Sequence, residues 1–389
     1  MRTPVIIDAL RTPFGKRNGE LAGLKAVELL RHVQLEVIRR NGLEPEEVDQ
    51  IVGGCVTQAG EQSLNITRNA WLNTGADFRV GCSTVDVSCG SAQQANHMVA
   101  GLIACGAVDV GIGCGVESMS RVPLGANLYQ GPGHYKTADY PWDDPPKAQF
   151  GGAERIAARE GFTRADVDEF GQWSQEKAAK ARSAGIFDRE IVPIEAPVLD
   201  EDGKPTGATR QVRHDQGIRE TTLEGLAALR PNVPDAVHTA GTTSQLSDGA
   251  AAVLWMSEEK AAALGLRPRA RIRHMVVTGA DPYYLLDGPV AATRKMLERS
   301  GMSLSGIARY EVNEAFAAVV LNWAKAFRAD PGRLNVHGGA IALGHPVGAT
   351  GARLIASALH ELERIDAEHA WITMCCGGSL GTGTLLERI

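Results

Sequence analysis

Apolar residues fall in short runs separated by segments of helical spacing, and this alternation recurs through both ends of the chain. Residues 5–9 form an apolar run of strand length. Residues 24–40 carry Val27, Leu30, Val33 and Val37 on one helical face and stop at Asn41-Gly42, a helix-ending pair. The pattern then predicts a strand at 51–56, a helix at 64–72 and a strand at 83–87. A helix at 91–104, closed by Cys105-Gly106, and a strand at 108–113 complete this end. Repeated strand–helix units predict an α/β protein with its sheet covered by helices.

Between 121 and 246 the texture changes. Gly, Pro, Tyr and Asp cluster through 131–146, a helix-rich stretch spans 151–184, and 200–219 is charged and irregular. Such a segment reads as an insertion carried by the sheet scaffold and placed to cover a site. After Asp248-Gly249-Ala250 the alternation returns, with a strand at 250–256, helices at 258–265, 291–300 and 315–327, and a strand at 370–374. The two ends look like repeats of one design. VDVSCGSAQQA in the first pairs with RYEVNEAFAAV in the second, each a strand entering a helix. VDVGIGCGVESMS pairs with HAWITMCCGGSLG, each an apolar strand entering a Cys/Gly turn. The expected organisation is an N-terminal half over 1–120, an inserted loop domain over 121–246 and a C-terminal half over 247–389.

At 389 residues, 44% hydrophobic and 22% charged, the chain has the size of two or three domains and an ordinary globular balance. A net charge of −6 speaks against a nucleic-acid partner but leaves room for a local cationic pocket. No run reaches the roughly 18 apolar residues of a membrane span. The opening MRTPVIIDALRTPFGK is too weakly apolar for a signal peptide, and the closing Glu387-Arg388-Ile389 is no peroxisomal address. The expected location is the cytoplasm. The seven cysteines, Cys55, Cys82, Cys89, Cys105, Cys114, Cys375 and Cys376, show neither zinc spacing nor a disulfide framework. Free thiols with one or two reactive members are expected, and no metal.

Four segments could carry chemistry. Cys89 stands where a strand ends and a helix begins, so unpaired amides and the helix dipole would favour its thiolate. The plain alternative is a buried structural cysteine. Cys375-Cys376-Gly377-Gly378 follows an apolar strand, and its glycines would let backbone amides face a ligand as an oxyanion hole. Asn313, ahead of Glu314-Ala315-Phe316, is either a helix N-cap or an amide aimed at a catalytic water. His345 lies between Gly344 and Pro346 in a glycine-dense run, where a ligand can approach the backbone closely.

Taken together, these segments closely resemble the thiolase family. The likeness covers essentially the whole chain. It rests on NEAF at 313–316, GGAIALGHPVGATGAR at 338–353, Cys375-Cys376-Gly377-Gly378, their order and spacing relative to Cys89, Gly115-Val116-Glu117-Ser118-Met119-Ser120, and the opening VIIDALRTPFGK. The resemblance implies a five-layer αβαβα sandwich of two similar halves with an inserted loop domain. It implies ping-pong acyl transfer on CoA thioesters, with coenzyme A as cosubstrate and no permanently bound cofactor, in a homodimer or homotetramer. Cys89 would accept the acyl group and Cys375 would act as acid and base. His345 would promote the Cys89 thiolate and, with a water held by Asn313, stabilise the thioester enolate. The amides of Cys89 and Gly377 would hold the tetrahedral oxyanion, and Glu314 would orient Asn313 or the histidine region. Arg219 and Ser244 would contact CoA; Arg210 and Arg213 either meet its phosphates or form a solvated basic face.

The chain also departs from the family pattern. Ser379 stands where a third glycine is frequent, and Cys376 fills a variable position, which leaves the chemistry to Cys375. Gln245-Leu246-Ser247 replaces a stretch with glycine and asparagine at its first and third places. Ala148-Gln149-Phe150 replaces a His-Met pair common in short-chain biosynthetic members. CGSAQQAN, at 89–96, leans towards degradative members acting on bulkier acyl chains, including steroid-CoA thiolases. The expected reading is therefore a degradative thiolase. The alternatives are a biosynthetic acetoacetyl-CoA-forming enzyme, a decarboxylating condensing enzyme, which would carry histidine in place of Cys375, and a silent CoA-binding scaffold.

Overall fold

The computed structural model describes residues 2–129 and 135–389, so 130–134 of the Gly/Pro-rich stretch lie outside the described residues. The first half supplies β1 (Pro4–Arg11), the short β2 (Gly15–Lys16), β3 (Gln50–Gly54), β4 (Gly81–Val85) and β5 (Val110–Ser118). The insertion supplies a hairpin of β6 (Ile194–Leu199) and β7 (Pro205–Val212). There follow β8 (Ser247–Ser257), β9 (Ala270–Gly279), β10 (Arg309–Val312), β11 (His369–Cys376) and β12 (Leu380–Arg388).

The large sheet runs β10-β11-β12-β9-β1-β8-β5-β3-β4, with β2 on the side of β8. Its two sides meet at one antiparallel pair, Ile6 with Ala270. Outward from that seam, one side reads β1, β8, β5, β3, β4. The other reads β9, β12, β11, β10, and Leu334 bridges parallel to Tyr310 of β10 where a further strand would lie. Ranked by position in each repeat, both sides run first, fifth, fourth, second, third.

This order corrects two sequence expectations. The strand β8 pairs with β1 and β5, so it closes the first repeat, and the second begins at β9 rather than at residue 247. VDVGIGCGVESMS and HAWITMCCGGSLG do occupy equivalent fourth strands. The helix behind Cys89, Ser91–Ala104, instead has its counterpart in Thr350–Arg364, because each follows the third position of its repeat. RYEVNEAFAAV follows the second strand and answers to β3 and the Cys55-Val56-Thr57 turn. Both pairings join a strand to a helix, and without identity the sequence offers nothing to separate them.

Five layers result. Helices Ala26–Arg39 and Ile66–Leu72 cover the outer face of the first side, and Gly288–Ser300 and Ala317–Phe327 lie outside the second. Ser91–Ala104 and Thr350–Arg364 pack on each other in the middle. Strand β8 shows how the sequence encodes this: Ala250, Ala252, Leu254 and Met256 enter the outer core, while Ala251, Val253 and Trp255 enter the central one. A strand covered on both faces needs no polar alternation, which is why it reads as one apolar run. The middle helix is buried all round from Thr350 to Leu362.

The insertion contains helices Gln149–Glu160 and Arg164–Ser183 ahead of its hairpin. It is rooted by Arg11 of β1, fully buried, whose guanidinium bonds Asp215 at 2.6 and 2.9 Å and Glu190 at 2.7 Å. No described helix is long and apolar enough to cross a membrane.

Candidate active site

Cys89 lies one residue before Gly90, the N-cap of Ser91–Ala104, and just after Ser88 at φ +48°. A serine in the left-handed region costs about 1–2 kcal/mol and turns the backbone sharply into the helix. Gly90 is required for a different reason. A Cβ there would come within 2.6 Å of both Cys376 Sγ and Thr382 Cγ2, so only glycine lets the turn pack onto the second half. The Cys89 thiol is buried, and its own amide and that of Gly377 lie close enough to favour the thiolate. These are the two amides assigned to the oxyanion hole by the resemblance.

The helix terminus favours the Cys89 thiolate, as expected, but it does not outweigh burial. Burial pushes the thiol up to about 12, and the two amides only partly oppose it. The proton must therefore be removed by a base.

His345 sits in the equivalent turn of the other repeat, ahead of Thr350–Arg364. Gly344 adopts φ +107°, and a Cβ on it would meet Ser247 Oγ at 2.4 Å. Ser247 needs that space: its hydroxyl accepts the His345 amide at 3.1 Å and donates to the Gln245 carbonyl at 2.9 Å. Thr350 fixes the imidazole. Its hydroxyl donates to the Pro346 carbonyl at 3.0 Å, so at 2.7 Å from His345 Nδ1 it can only accept. Nδ1 thus carries the proton and Nε2 presents a lone pair. The Asn313 amide nitrogen, 3.4 Å from Nε2, faces it as a long donor. Burial, reinforced by Arg353, holds His345 down to about 3, so the ring rests neutral.

Asn313 is not a helix cap, since the N-cap of Ala317–Phe327 is Phe316. Its own amide is anchored on the Thr373 carbonyl at 3.0 Å, and its Oδ1 is buried without a partner, an acceptor left for a water or a ligand. Cys375 packs with Ala315, Phe316, Val319, Leu285 and Leu286, and burial, then the neighbouring Cys89, raises its thiol well above the usual range. Cys376 points to the opposite face of β11, among the central core. Alternation along the strand therefore separates the two adjacent thiols.

Glu314 does not bond Asn313 or His345. It accepts Ser174 Oγ at 2.6 Å, Asn335 Nδ2 at 2.9 Å and the Ile341 amide at 3.2 Å, tying the insertion to the loop that leads into His345. Glu117 does similar work below Cys89, accepting the Val56, Thr57 and Gly348 amides and Gln62.

A cavity of about 650 Å³ opens at Cys89 and Gly377. Leu124, Leu128, Trp142, Leu285 and Val347 give it an apolar wall, and Gln149 stands where the biosynthetic His-Met pair is absent. Ser244 is held beside the Asn313–Phe316 segment by its amide on the Ala315 carbonyl at 3.0 Å, and Arg219 is exposed on the insertion. Arg210 is brought elsewhere: it pairs with Glu20 at 2.9 Å in a groove that also takes Lys16 and Arg121. Arg213 is exposed and bonds Gln211.

Sequence reasoning missed Thr350, Ser247 and Ser174, whose hydroxyls set the positions of His345 and Glu314. Only Thr350 carried a signal, as a β-branched residue opening a helix five positions after a candidate histidine.

Residues 4–259 match the family model described as the thiolase N-terminal domain, and 266–388 the one described as the thiolase C-terminal domain. The chain is 40% identical over 397 residues to the steroid 3-ketoacyl-CoA thiolase FadA6 of Mycobacterium tuberculosis, covering 100% of this chain and 95% of that protein. It is 41% identical over 401 residues to the 3-ketoacyl-CoA thiolase of Aliivibrio fischeri, covering 100% of both. The crystal structure of the Bacillus anthracis acetyl-CoA acetyltransferase superposes with a TM-score of 0.90 at 36% identity, covering 100% of this chain and 99% of that one.

Proposed function

The chain belongs to the thiolase family, and we propose that Cys89, His345, Asn313, Cys375 and Gly377 carry its reaction. It is an acyltransferase of the 3-ketoacyl-CoA thiolase type, acting by thiolytic acyl transfer. One observation supports the residue assignment above the rest: the amides of Cys89 and Gly377 lie near the Cys89 sulfur while His345 is held with Nε2 unprotonated, met by the Asn313 amide at only 3.4 Å.

The steps follow from those positions. His345 Nε2 takes the Cys89 proton as the sulfur attacks the 3-keto carbon of a 3-oxoacyl-CoA. The charge moves to the former carbonyl oxygen, which the amides of Cys89 and Gly377 receive. Collapse breaks the Cα–Cβ bond and expels acetyl-CoA as its enolate. The imidazolium, now a donor at Nε2, and a water on Asn313 hold the enolate oxygen, and Cys375 supplies the proton to carbon. CoA then gives its thiol proton to the Cys375 thiolate, and its sulfur takes the acyl group from Cys89. Cys89 leaves as a thiolate and recovers its proton from His345. Each of these thiolysis steps reverses for condensation.

CoA enters as cosubstrate along Ser244 with Arg219 near its nucleotide end; the placement of Ser244 beside Ala315 supports this. The apolar wall of Leu124, Leu128, Trp142 and Leu285 favours longer or bulkier acyl chains over acetoacetyl-CoA. We read the enzyme as a cytoplasmic homodimer or homotetramer. In support, β4 is a sheet edge paired, among the described residues, only with β3, and Leu64 and Phe78 nearby are 87% and 71% exposed.

The test is thiolysis of a panel of 3-oxoacyl-CoAs, from acetoacetyl-CoA to ring-bearing side chains, with wild type and Cys89→Ala. Activity in the mutant would remove Cys89 from its role. A kcat/KM ranking that falls steadily from acetoacetyl-CoA upward would remove the bulky-acyl reading.

A further inference from the structure

Helix Ala317–Phe327 begins immediately after Phe316, in the segment that bears Asn313, and its N-cap is that same phenylalanine, which has no side-chain acceptor. Its first amides are met by the insertion instead. The Ala317 amide donates to the Thr242 carbonyl at 3.0 Å, and the Ala318 amide donates to His238 Nε2 at 3.2 Å. An imidazole nitrogen can accept only if it carries no proton, so the His238 proton is on Nδ1. Nδ1 lies 2.6 Å from Glu154 Oε1, and Glu154 also accepts the backbone amides of Val237 and His238 at 2.9 and 3.2 Å. The ring is 1% exposed and stands edge-to-face on Phe316 at 5.6 Å. Phe316 in turn packs in one cluster with Cys375.

We propose that His238, oriented by Glu154, is a positioning residue for acyl transfer: it caps the helix behind Asn313–Phe316 and so sets where the Asn313 amide and the Cys375 wall stand. This rests on the reading of Asn313 and Cys375 as thiolase site groups. The contact most exposed to such control is Asn313 Nδ2 to His345 Nε2, already long at 3.4 Å. A further outward shift would break it. The rest of the turn is held independently, by the Asn313 amide on Thr373, the Val312 amide on Asn335 and the Ser244 amide on the Ala315 carbonyl, so His238 acts at the Ala318 amide, which these bonds do not reach.

Three variants test it. His238→Leu keeps the bulk and removes both bonds. His238→Asn reaches Glu154 but not Ala318. His238→Gln can accept from Ala318 and donate to Glu154 at once. Active sites are counted by stoichiometric acylation of Cys89 from a 3-oxoacyl-CoA without free CoA, read as the mass of the acylated Cys89 peptide, so that kcat refers to folded enzyme only. His238→Leu and His238→Asn are expected to lose about tenfold or more in kcat with KM for CoA within about twofold, and His238→Gln to recover most of the loss. A purely structural role would lower the site count and leave kcat per site unchanged. The proposal is overturned if Leu and Asn keep kcat within about twofold of wild type, or if Gln is no better than Asn. Should His238→Leu not fold, the Asn and Gln pair decides alone. A wild type inactive on every 3-oxoacyl-CoA overturns the reading of the site itself; an active wild type with unaffected variants overturns only the role of His238.

Discussion

Replacing Thr350 by valine removes one hydroxyl and almost no volume, and it tests the acid–base logic of the site. In the native turn that hydroxyl accepts His345 Nδ1–H and donates to the Pro346 carbonyl. Valine leaves a buried N–H without an acceptor, a cost of about 1–3 kcal/mol. The ring can escape the cost by moving its proton to Nε2, where the lone pair was needed. Either way the state able to accept the Cys89 proton becomes rarer by that free energy, which is about 5- to 150-fold in rate at 1.4 kcal/mol per decade. Substrate binding does not involve the far side of the ring, so the loss should fall on kcat and leave KM within about twofold. Thiolysis of a good 3-oxoacyl-CoA gives both constants. Iodoacetamide alkylation of Cys89 gives the proton-removal step alone and should slow by a similar factor. Thr350→Ser restores the hydroxyl and should recover activity to within about threefold. A Thr350→Val enzyme with kcat within about twofold of wild type would refute the tautomer assignment.

The remaining predictions address the turn, the paired thiols and the acid limb of stability. Gly344→Ala must place a Cβ 2.4 Å from Ser247 Oγ at φ +107°, so it should displace His345 at a cost of about 1–3 kcal/mol and lower kcat more than about tenfold; unchanged kcat would show that the turn adapts. Cys375→Ala should lose about 10²–10⁴ in thiolysis while Cys89 still alkylates, whereas Cys376→Ala should stay within a few fold, the reverse order exchanging their roles. His97, buried against Thr384 Oγ1 at 2.7 Å, is held down to about 3, so below pH about 6.5 the unfolded chain binds a proton that the folded chain refuses. Its share of stability is therefore lost as pH falls from about 6.5 towards 3, and His97→Gln should flatten urea-derived stability against pH by about 1.4 kcal/mol per unit between pH 5 and 6. Parallel curves for the two proteins would argue against a neutral buried His97.

The α/β alternation and the four candidate segments were legible because they are local. Short apolar runs mark doubly covered strands, and glycines mark turns that approach other backbone. The repeat register was not legible. Cys89 and NEAF each follow a strand and open a helix, and only the sheet order shows that the partner of the Cys89 turn is the His345 turn. Nor was the closing strand of the first repeat, since Ser247–Ser257 comes after the whole insertion and its partners, β1 and β5, lie far back in the chain. The hydroxyls of Thr350, Ser247 and Ser174 were invisible for the same reason: a threonine that orients a histidine looks like any other until the acceptor it already serves is known.

The equivalence of the two turns also bears on why this site rests uncharged. Cys89 and His345, the proposed nucleophile and base, each sit at the head of a middle-layer helix, and those helices pack on each other with sheets on either side, so both groups are removed from water by the architecture itself. A thiolate–imidazolium pair there would have to offset the desolvation of two charges with no guaranteed partner for the rest of their hydrogen-bonding capacity. The shifts agree: the thiol rises to about 12 and the imidazole falls to about 3, which places the neutral pair well below the ion pair. Proton transfer becomes favourable when the negative charge can move on at once, from sulfur to an oxygen that meets the two waiting amides. A buried neutral thiol is also a poor target for oxidation or alkylation, because thiolate character controls both. The same dryness that raises the Cys89 thiol therefore couples its activation to the arrival of a carbonyl. On this argument, iodoacetamide, which offers no oxyanion, should inactivate the resting enzyme more slowly at pH 7 than a haloacetyl-CoA of equal leaving group, beyond the difference explained by CoA binding. Equal second-order rates after that correction would mean that the thiolate is already present at rest.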